Sequence, residues 1–298
     1  MKTWKLAIAL ATILVIIVGC SNKKETEDTN ATTKKEQVAD DEQRIVAGTV
    51  VIAEILDKLN IDAIAVPETS KELPGRFDQA DPIGNAMEPD MEIVKSLDPT
   101  TVLSVTTLQY DLEDKFEKLK IPVQFLNLQS VDSMLQEIEE LGKQFDRKKE
   151  ADELIAGLQK NIDAVEMMAS KKEGPRVLIL LGIPGSYLVA TENSYIGDLV
   201  KRAGGINVMA DQQQEYLTSN TEYLHNSNPD IILRLAHGMP EEVVEMFNEE
   251  FATNDIWKHF DAVKNNKVYD LEEALFGTTA SLNVPTALGQ LMEIFYRD

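Results

Sequence analysis

Three histidines, one cysteine and ten methionines are the nitrogen and sulfur side chains that could do metal chemistry in this 298-residue chain. They are scattered, so each is weighed by its own surroundings. His225 sits near the end of a short helical pattern before Pro229, where an imidazole can serve the last carbonyls and the helix dipole. His259 lies in Trp257-Lys258-His259-Phe260, an amphipathic turn that reads as surface or core edge. His237 differs. It follows the strand pattern Ile231-Ile232-Leu233-Arg234-Leu235 and precedes Gly238, and in open α/β sheets ligands gather outside the carboxyl ends of strands. From its position alone it reads equally as ligand or as structure. Met87 follows Gly84-Asn85-Ala86, just before a helix start. A methionine is more often core filler, yet a loop is where binding side chains concentrate. Its thioether is a soft, neutral donor that suits Zn²⁺ or Mn²⁺ poorly. Met239 competes with it but shares the loop of His237, so it could not easily reach the opposite side of the same ligand.

No enzyme is expected. There is no phosphate-cradling Gly-rich loop, and Gly182-Ile183-Pro184-Gly185-Ser186 puts its serine at the wrong place for a nucleophile elbow. A divalent-metal site wants two or three histidines with carboxylates; three scattered histidines argue against one, and a set of Glu, Asp and His237 stays open. The net charge of −22 disfavours nucleic acid as a partner and becomes more negative still if Lys2 and Lys5 are lost with a leader. Most of that charge reads as a soluble surface.

The single cysteine, Cys20, ends an apolar run behind Lys2 and Lys5. Leu6 to Val18 is shorter than the roughly 20 residues a spanning helix needs. Ile17-Val18-Gly19-Cys20 resembles the bacterial lipobox, which implies export, cleavage after residue 19 and lipidation of Cys20. The rest of the chain then has no thiol for a disulfide, and its core alone must hold it. Residues 21–43 are polar, charged and nearly free of large apolar side chains, the composition of a tether.

From Arg44 onward, strands alternate with helices. Strands are expected at 44–47, 61–66, 101–105 and 123–126, with helices at 50–59, from Glu88-Pro89-Asp90 onward, and at 131–145. Pro89 suits the first helical position, and Ile93, Val94 and Leu97 give that helix an apolar face. Alternation of this kind predicts an α/β lobe with a mainly parallel sheet. The stretch 147–169 carries apolar residues at 151, 154, 155, 158, 162 and 165. Extended to about 25 residues, such a helix would span on the order of 37 Å. A second α/β set follows, with strands at 177–181, 187–190, 231–235 and 268–271. Helices are expected at 195–203 (closed by Gly204-Gly205), 221–226, 240–251 and 283–296. Leu97-Asp98-Pro99 and Asn228-Pro229-Asp230 each precede a buried strand, a hint that the two lobes are alike. The expected division is a signal peptide at 1–19, a tether at 20–43, an N-terminal lobe at 44–143, a linker helix at 144–173 and a C-terminal lobe at 174–298.

Two α/β lobes joined by one long helix, behind a lipobox, resemble the cluster A, class III substrate-binding proteins of ABC importers. The segments that carry the likeness are RIVAGTVVIAEILDKL, MEPDMEIVKSLDPTTVLSV, LVKRAGGINV, NPDIILRL and WKHFDAVKNNKVYDL. GNAMEPD and RLAHGMP narrow it to the IsdE-type haem-receptor lipoproteins of Gram-positive bacteria.

That resemblance implies a haem-binding receptor, with one haem b per chain between the lobes and Met87 and His237 as axial ligands of its iron. A Met/His pair suits haem iron and raises its reduction potential. The propionates need donors. Thr49, Val50 and Val51, opening the first helix, offer free N–H groups; Ser70, Lys71 and Arg76 could add side chains, and Thr106, Thr107 and Tyr110 could line the cleft. The resemblance also implies a membrane permease as partner, docked through acidic residues such as Glu54 and Glu192 or Glu222. Upstream surface proteins would supply haem to a monomer held by lipid at the outer face of the cell membrane, and closure on binding would be small. The same fold also serves ferric siderophores, cobalamin and, in adhesin-like lipoproteins, divalent metals; aromatics at only 6% disfavour the siderophore and cobalamin readings.

Overall fold

The computed structural model describes residues 43–297 apart from 70, 211, 220–223, 225, 226 and 238. The leader, Cys20, Ser70, Glu222, His225 and most of the helix expected at 221–226 therefore lie outside the described residues. Among those described, no helix is long and apolar enough to cross a membrane.

The first sheet holds five strands: β1 (Ile45–Ala47), β2 (Ala65–Val66), β3 (Asp81–Pro82), β4 (Thr101–Val105) and β5 (Val123–Leu126). Their order is β3-β2-β1-β4-β5 and every pairing is parallel. Its helices are α1 (Val50–Lys58), α2 (Met91–Ser96) and α3 (Gln109–Leu119). Two differences from expectation have local causes. The strand expected at 61–66 shrinks to Ala65–Val66, because Ile61 N–H is taken up in closing α1 on Leu56 O. In α2 the cap is Asp90, whose carboxylate accepts from Glu92 N and Ile93 N; Pro89 stays outside, bridging to Gly84. Ile93 is on the exposed side of α2, and only Val94 of that helix is buried.

Residues 131–169 fold as two helices, α4 (Val131–Gln144) and α5 (Lys148–Ala169). The break is a tight turn with Asp146 at φ +54°. Helix α5 follows the first sheet and precedes the second. It buries Leu158, Ile162 and Val165 in the core cluster that also holds Ile45 and Leu103 of the first sheet and Val177 and Leu233 of the second.

The second sheet is mixed. It contains β6 (Arg176–Ile183), β7 (Ser186–Ala190), β8 (Ile206–Asn207), β9 (Tyr216–Thr218), β10 (Ile231–Ala236) and β11 (Val268–Leu271). The order is β11-β10-β6-β7-β9, with β8 also on β6. Strand β7 runs antiparallel to both β6 and β9, while β10 is parallel to both its neighbours. The helices are α6 (Tyr195–Arg202), α7 (Pro240–Thr253), α8 (Asp261–Lys264) and α9 (Val284–Tyr296). Arg234, the one charge within β10, is buried; its guanidinium meets Asp270 at 2.6 and 2.7 Å and lies over the rings of Phe247 and Phe251. Asp98 and Asn228 both adopt positive φ before their prolines, so the two turns that looked alike in sequence share a backbone shape.

Polar contacts also tie residues after β5 to the second half of the chain. Val131 N donates to Asp198 at 2.8 Å, Gln129 Nε2 to Glu215 at 2.5 Å, and Ala280 N to Leu128 O at 2.7 Å. Arg202 on α6 binds Asp132 of α4, Glu166 of α5 and Asp198. These tether α4, α5 and α6 to one another.

Candidate functional site

The site begins where β1 ends. Gly48 N donates to Leu103 O at 2.7 Å, an approach so close that a Cβ at residue 48 would meet that carbonyl. Glycine there lets α1 start at once. Thr49 caps it, its Oγ1 accepting from Ile52 N. The first-turn N–H groups of α1 have no intrahelical acceptor, and Thr49, Val50 and Val51 line a cavity of about 530 Å³.

Glu54, one turn further, lines the same cavity. Its carboxyl is half-buried, and burial raises its pKa above the ordinary carboxylate value despite the opposing fields of Lys71 and Lys58. Glu54 is thus a half-buried part of the cavity wall. Lys71 lines the cavity too, brought there by the loop after β2.

Met87 reaches the cavity from the loop after β3. Asn85 organises that loop: its Oδ1 accepts from Met87 N and Glu88 N, both at 2.9 Å. The Gly84–Pro89 bridge closes it, with Gly84 at φ +80°. The backbone is thus fixed while the Met87 side chain remains 62% exposed.

His237 reaches the cavity from the second sheet. It lies just past β10, and its N–H donates to Gly182 O on β6 at 3.0 Å. Gly182 is glycine because Val243 and Phe247 of α7 press onto the strand there. The His237 Nδ1 lies 2.8 Å from Glu273 Oε1, within ion-pairing distance of a protonated ring, though it makes no hydrogen bond. Glu273 also lines the cavity, with Gly277, Thr278 and Thr279 behind it. Strands β10 and β11 are parallel with Leu235 opposite Leu271, so continuing the register by two residues sets His237 beside Glu273.

Of the residues singled out from sequence, Thr49, Val50, Val51, Lys71, Met87 and His237 share this one cavity, along with Thr107. Arg76 does not. Its guanidinium is held by Asp62 at 2.7 Å, by Asp57 and by Asn60, which draws it back onto the end of α1. Tyr110 does not either; it is 96% exposed on the first turn of α3, whose Leu112 and Phe116 face inward instead. Met239 lies outside the cavity lining, and so does His259, in the short turn Trp257–His259. Glu54, Glu72 and Glu273 are cavity residues that motif reading missed. Among the described residues, no three His, Cys, Asp or Glu side chains gather as a metal cluster.

The sequence from residue 45 to 275 matches the periplasmic binding protein family model. The chain belongs to the periplasmic binding protein family. Within that family it is 46% identical over 299 residues to the high-affinity heme uptake system protein IsdE of Staphylococcus aureus strain Newman, covering all of this chain and 99% of that protein. The solved structure of S. aureus IsdE complexed with heme matches with a TM-score of 0.83 at 50% identity, over 86% of this chain and 100% of that one. An ABC transporter substrate-binding protein from Listeria monocytogenes EGD-e matches with the same TM-score at 56% identity, again over 86% and 100%. This periplasmic binding protein therefore carries the two-sheet, class III form of the fold expected from its sequence.

Proposed function

We propose that this chain is the haem-binding substrate receptor of an ABC importer, with Met87 and His237 as axial ligands of the haem iron. The observation that carries the reading is that Met87 and His237, on loops from different sheets, line one cavity. At about 530 Å³ that cavity lies within the ordinary range of small-ligand sites. Val50, Val51, Val105 and Leu108 give it apolar walls against a porphyrin face, and Lys71 with the start of α1 gives its carboxylates a cation and N–H donors. Full-length similarity to the heme uptake protein IsdE supports the same cargo.

In this reading the chain does no bond chemistry. Glu273 lies 2.8 Å from Nδ1 of His237, placed to accept from that nitrogen once the ring turns to bind metal, as carboxylates do for metal-bound histidines. Asn85 fixes the loop that presents Met87. Lipid on Cys20 and a tether over 20–43 hold the protein as a monomer at the outer face of the membrane, with lobes at 44–143 and 174–298 about the linker helix. One haem b arrives from surface transfer proteins and leaves through the permease, for which Glu54 and Glu192 are docking candidates. The ties between α4, α5 and α6 support a small closure on binding.

Titrating the purified protein with haemin, cobalamin and a ferric hydroxamate siderophore tests the cargo. Saturable one-to-one binding of haemin alone, with a sharpened Soret band, is the expected result. Tight binding of cobalamin or the siderophore with no change in the haemin spectrum would replace haem as the cargo.

A further inference from the structure

We propose that Met87 is an oxidation-sensitive site that switches off cargo capture: peroxide converts its thioether to the sulfoxide in the empty receptor and removes a ligand from the iron. The inference rests on the haem reading above and adds a modification to it. The nine described methionines differ sharply in exposure, and five mark the extremes. Met134 is fully buried at 0%, whereas Met87 and Met167 stand at 62%, Met168 at 51% and Met239 at 48%. Of these five, only Met87 lines the cavity. Its loop backbone is fixed, because Asn85 holds the amides of residues 87 and 88 and the Gly84–Pro89 bridge closes the turn. The sulfur is thus presented to small solutes as well as to cargo.

The chemistry balances with hydrogen peroxide as the oxidant. A sulfur lone pair attacks one peroxide oxygen, the O–O bond breaks and the S–O bond forms. The other oxygen leaves as hydroxide and takes the proton of the new S–OH group, giving the sulfoxide and water; sulfur loses two electrons and peroxide gains them. The product is polar and chiral, and its exposed donor is a hard oxygen in place of a soft sulfur. Once Met87 is bound to iron, that lone pair is committed and the site is shielded. Oxidation then falls selectively on the empty receptor. Methionine sulfoxide reductases reverse the change.

The test treats the purified, haem-free protein with hydrogen peroxide, maps sulfoxides by peptide mass and titrates the product with haemin. Sulfoxide at Met87 should accumulate on the order of ten-fold faster than at Met134. Haemin affinity should drop on the order of ten-fold, as for other losses around a metal ligand, and recover after treatment with the two reductases. In a Met87→Leu variant, peroxide should leave the already lower affinity unchanged although Met167, Met168 and Met239 still oxidise. Unaltered haemin affinity with Met87 oxidised, or a loss that persists in Met87→Leu, overturns the switch while leaving the haem reading intact. Failure of the untreated protein to bind haemin overturns that reading, and the switch falls with it.

Discussion

Met87 and His237 line the same cavity, but the chain holds them in different ways. His237 continues a strand with a parallel neighbour on either side; its amide is pinned to β6 and its ring lies against a carboxylate that the adjacent strand supplies. Met87 rides on a loop whose shape depends on Asn85 and one backbone bridge, and its side chain is mostly in water. One donor is placed by the sheet and the other by a turn. In the proposed reading, the sheet-borne ligand brings order that cargo does not have to provide, whereas the loop-borne ligand must lose rotamer freedom when cargo arrives. The two sides of the cavity should therefore contribute unequally.

The largest effect should come from His237→Ala, which removes the ordered ligand. Haemin affinity should fall by more than about 100-fold, beyond the range typical for outer-shell changes. Met87→Ala should cost less, on the order of ten-fold, and convert the spectrum to one with a single protein ligand. Equal losses in equilibrium titrations of the two variants would break the comparison.

Glu273→Gln sharpens the comparison on the histidine side. It keeps the shape and removes the charge that faces Nδ1, so affinity should fall on the order of ten-fold. Binding by Met87→Ala should be weakened further by the same change, since His237 remains its one proposed iron ligand. On the methionine side, Asn85→Ala removes two hydrogen bonds that set the loop. About 1 kcal/mol of loop order should go with them, seen as a several-fold faster haemin release with folding stability little changed.

The smallest effect concerns Glu54. Burial raises its pKa, so between the ordinary carboxylate value and the raised one the folded chain holds a proton that the unfolded chain has released. Stability should fall as pH rises through that window and stay lower above it. Glu54→Gln should flatten this slope and raise the melting temperature at neutral pH. A steeper slope or a lower neutral-pH melting temperature in the variant would contradict the assignment of burial as the cause.

Both residues stood out in the sequence for local reasons, while their pairing as ligands came from the family resemblance. His237 follows a strand whose aliphatics are plain, and Met87 follows a Gly-Asn pair that has to turn. The strands at 101–105, 123–126 and 268–271 have the bounds their apolar runs suggested. What stayed hidden depends on partners distant in sequence. Glu273 becomes a neighbour of His237 only once β10 and β11 are known to pair and in what register. Helix α3 was obscured by its charges, which leave Leu112 and Phe116 as its only buried residues, and its turn is what carries Tyr110 away from the cavity. Arg76 read as an available cation because nothing local shows that Asp57, Asn60 and Asp62 will converge on it.

The central claim is that Met87 and His237 bind one iron together. Near-infrared absorption of the haemin-loaded protein tests it most directly, because a ferric iron bound by a thioether gives its own weak charge-transfer band. That band should be present in the native protein, absent in Met87→Ala with haemin still bound, and absent in His237→Ala. Its absence from the native protein, or its survival in Met87→Ala, would contradict the assignment of the two ligands.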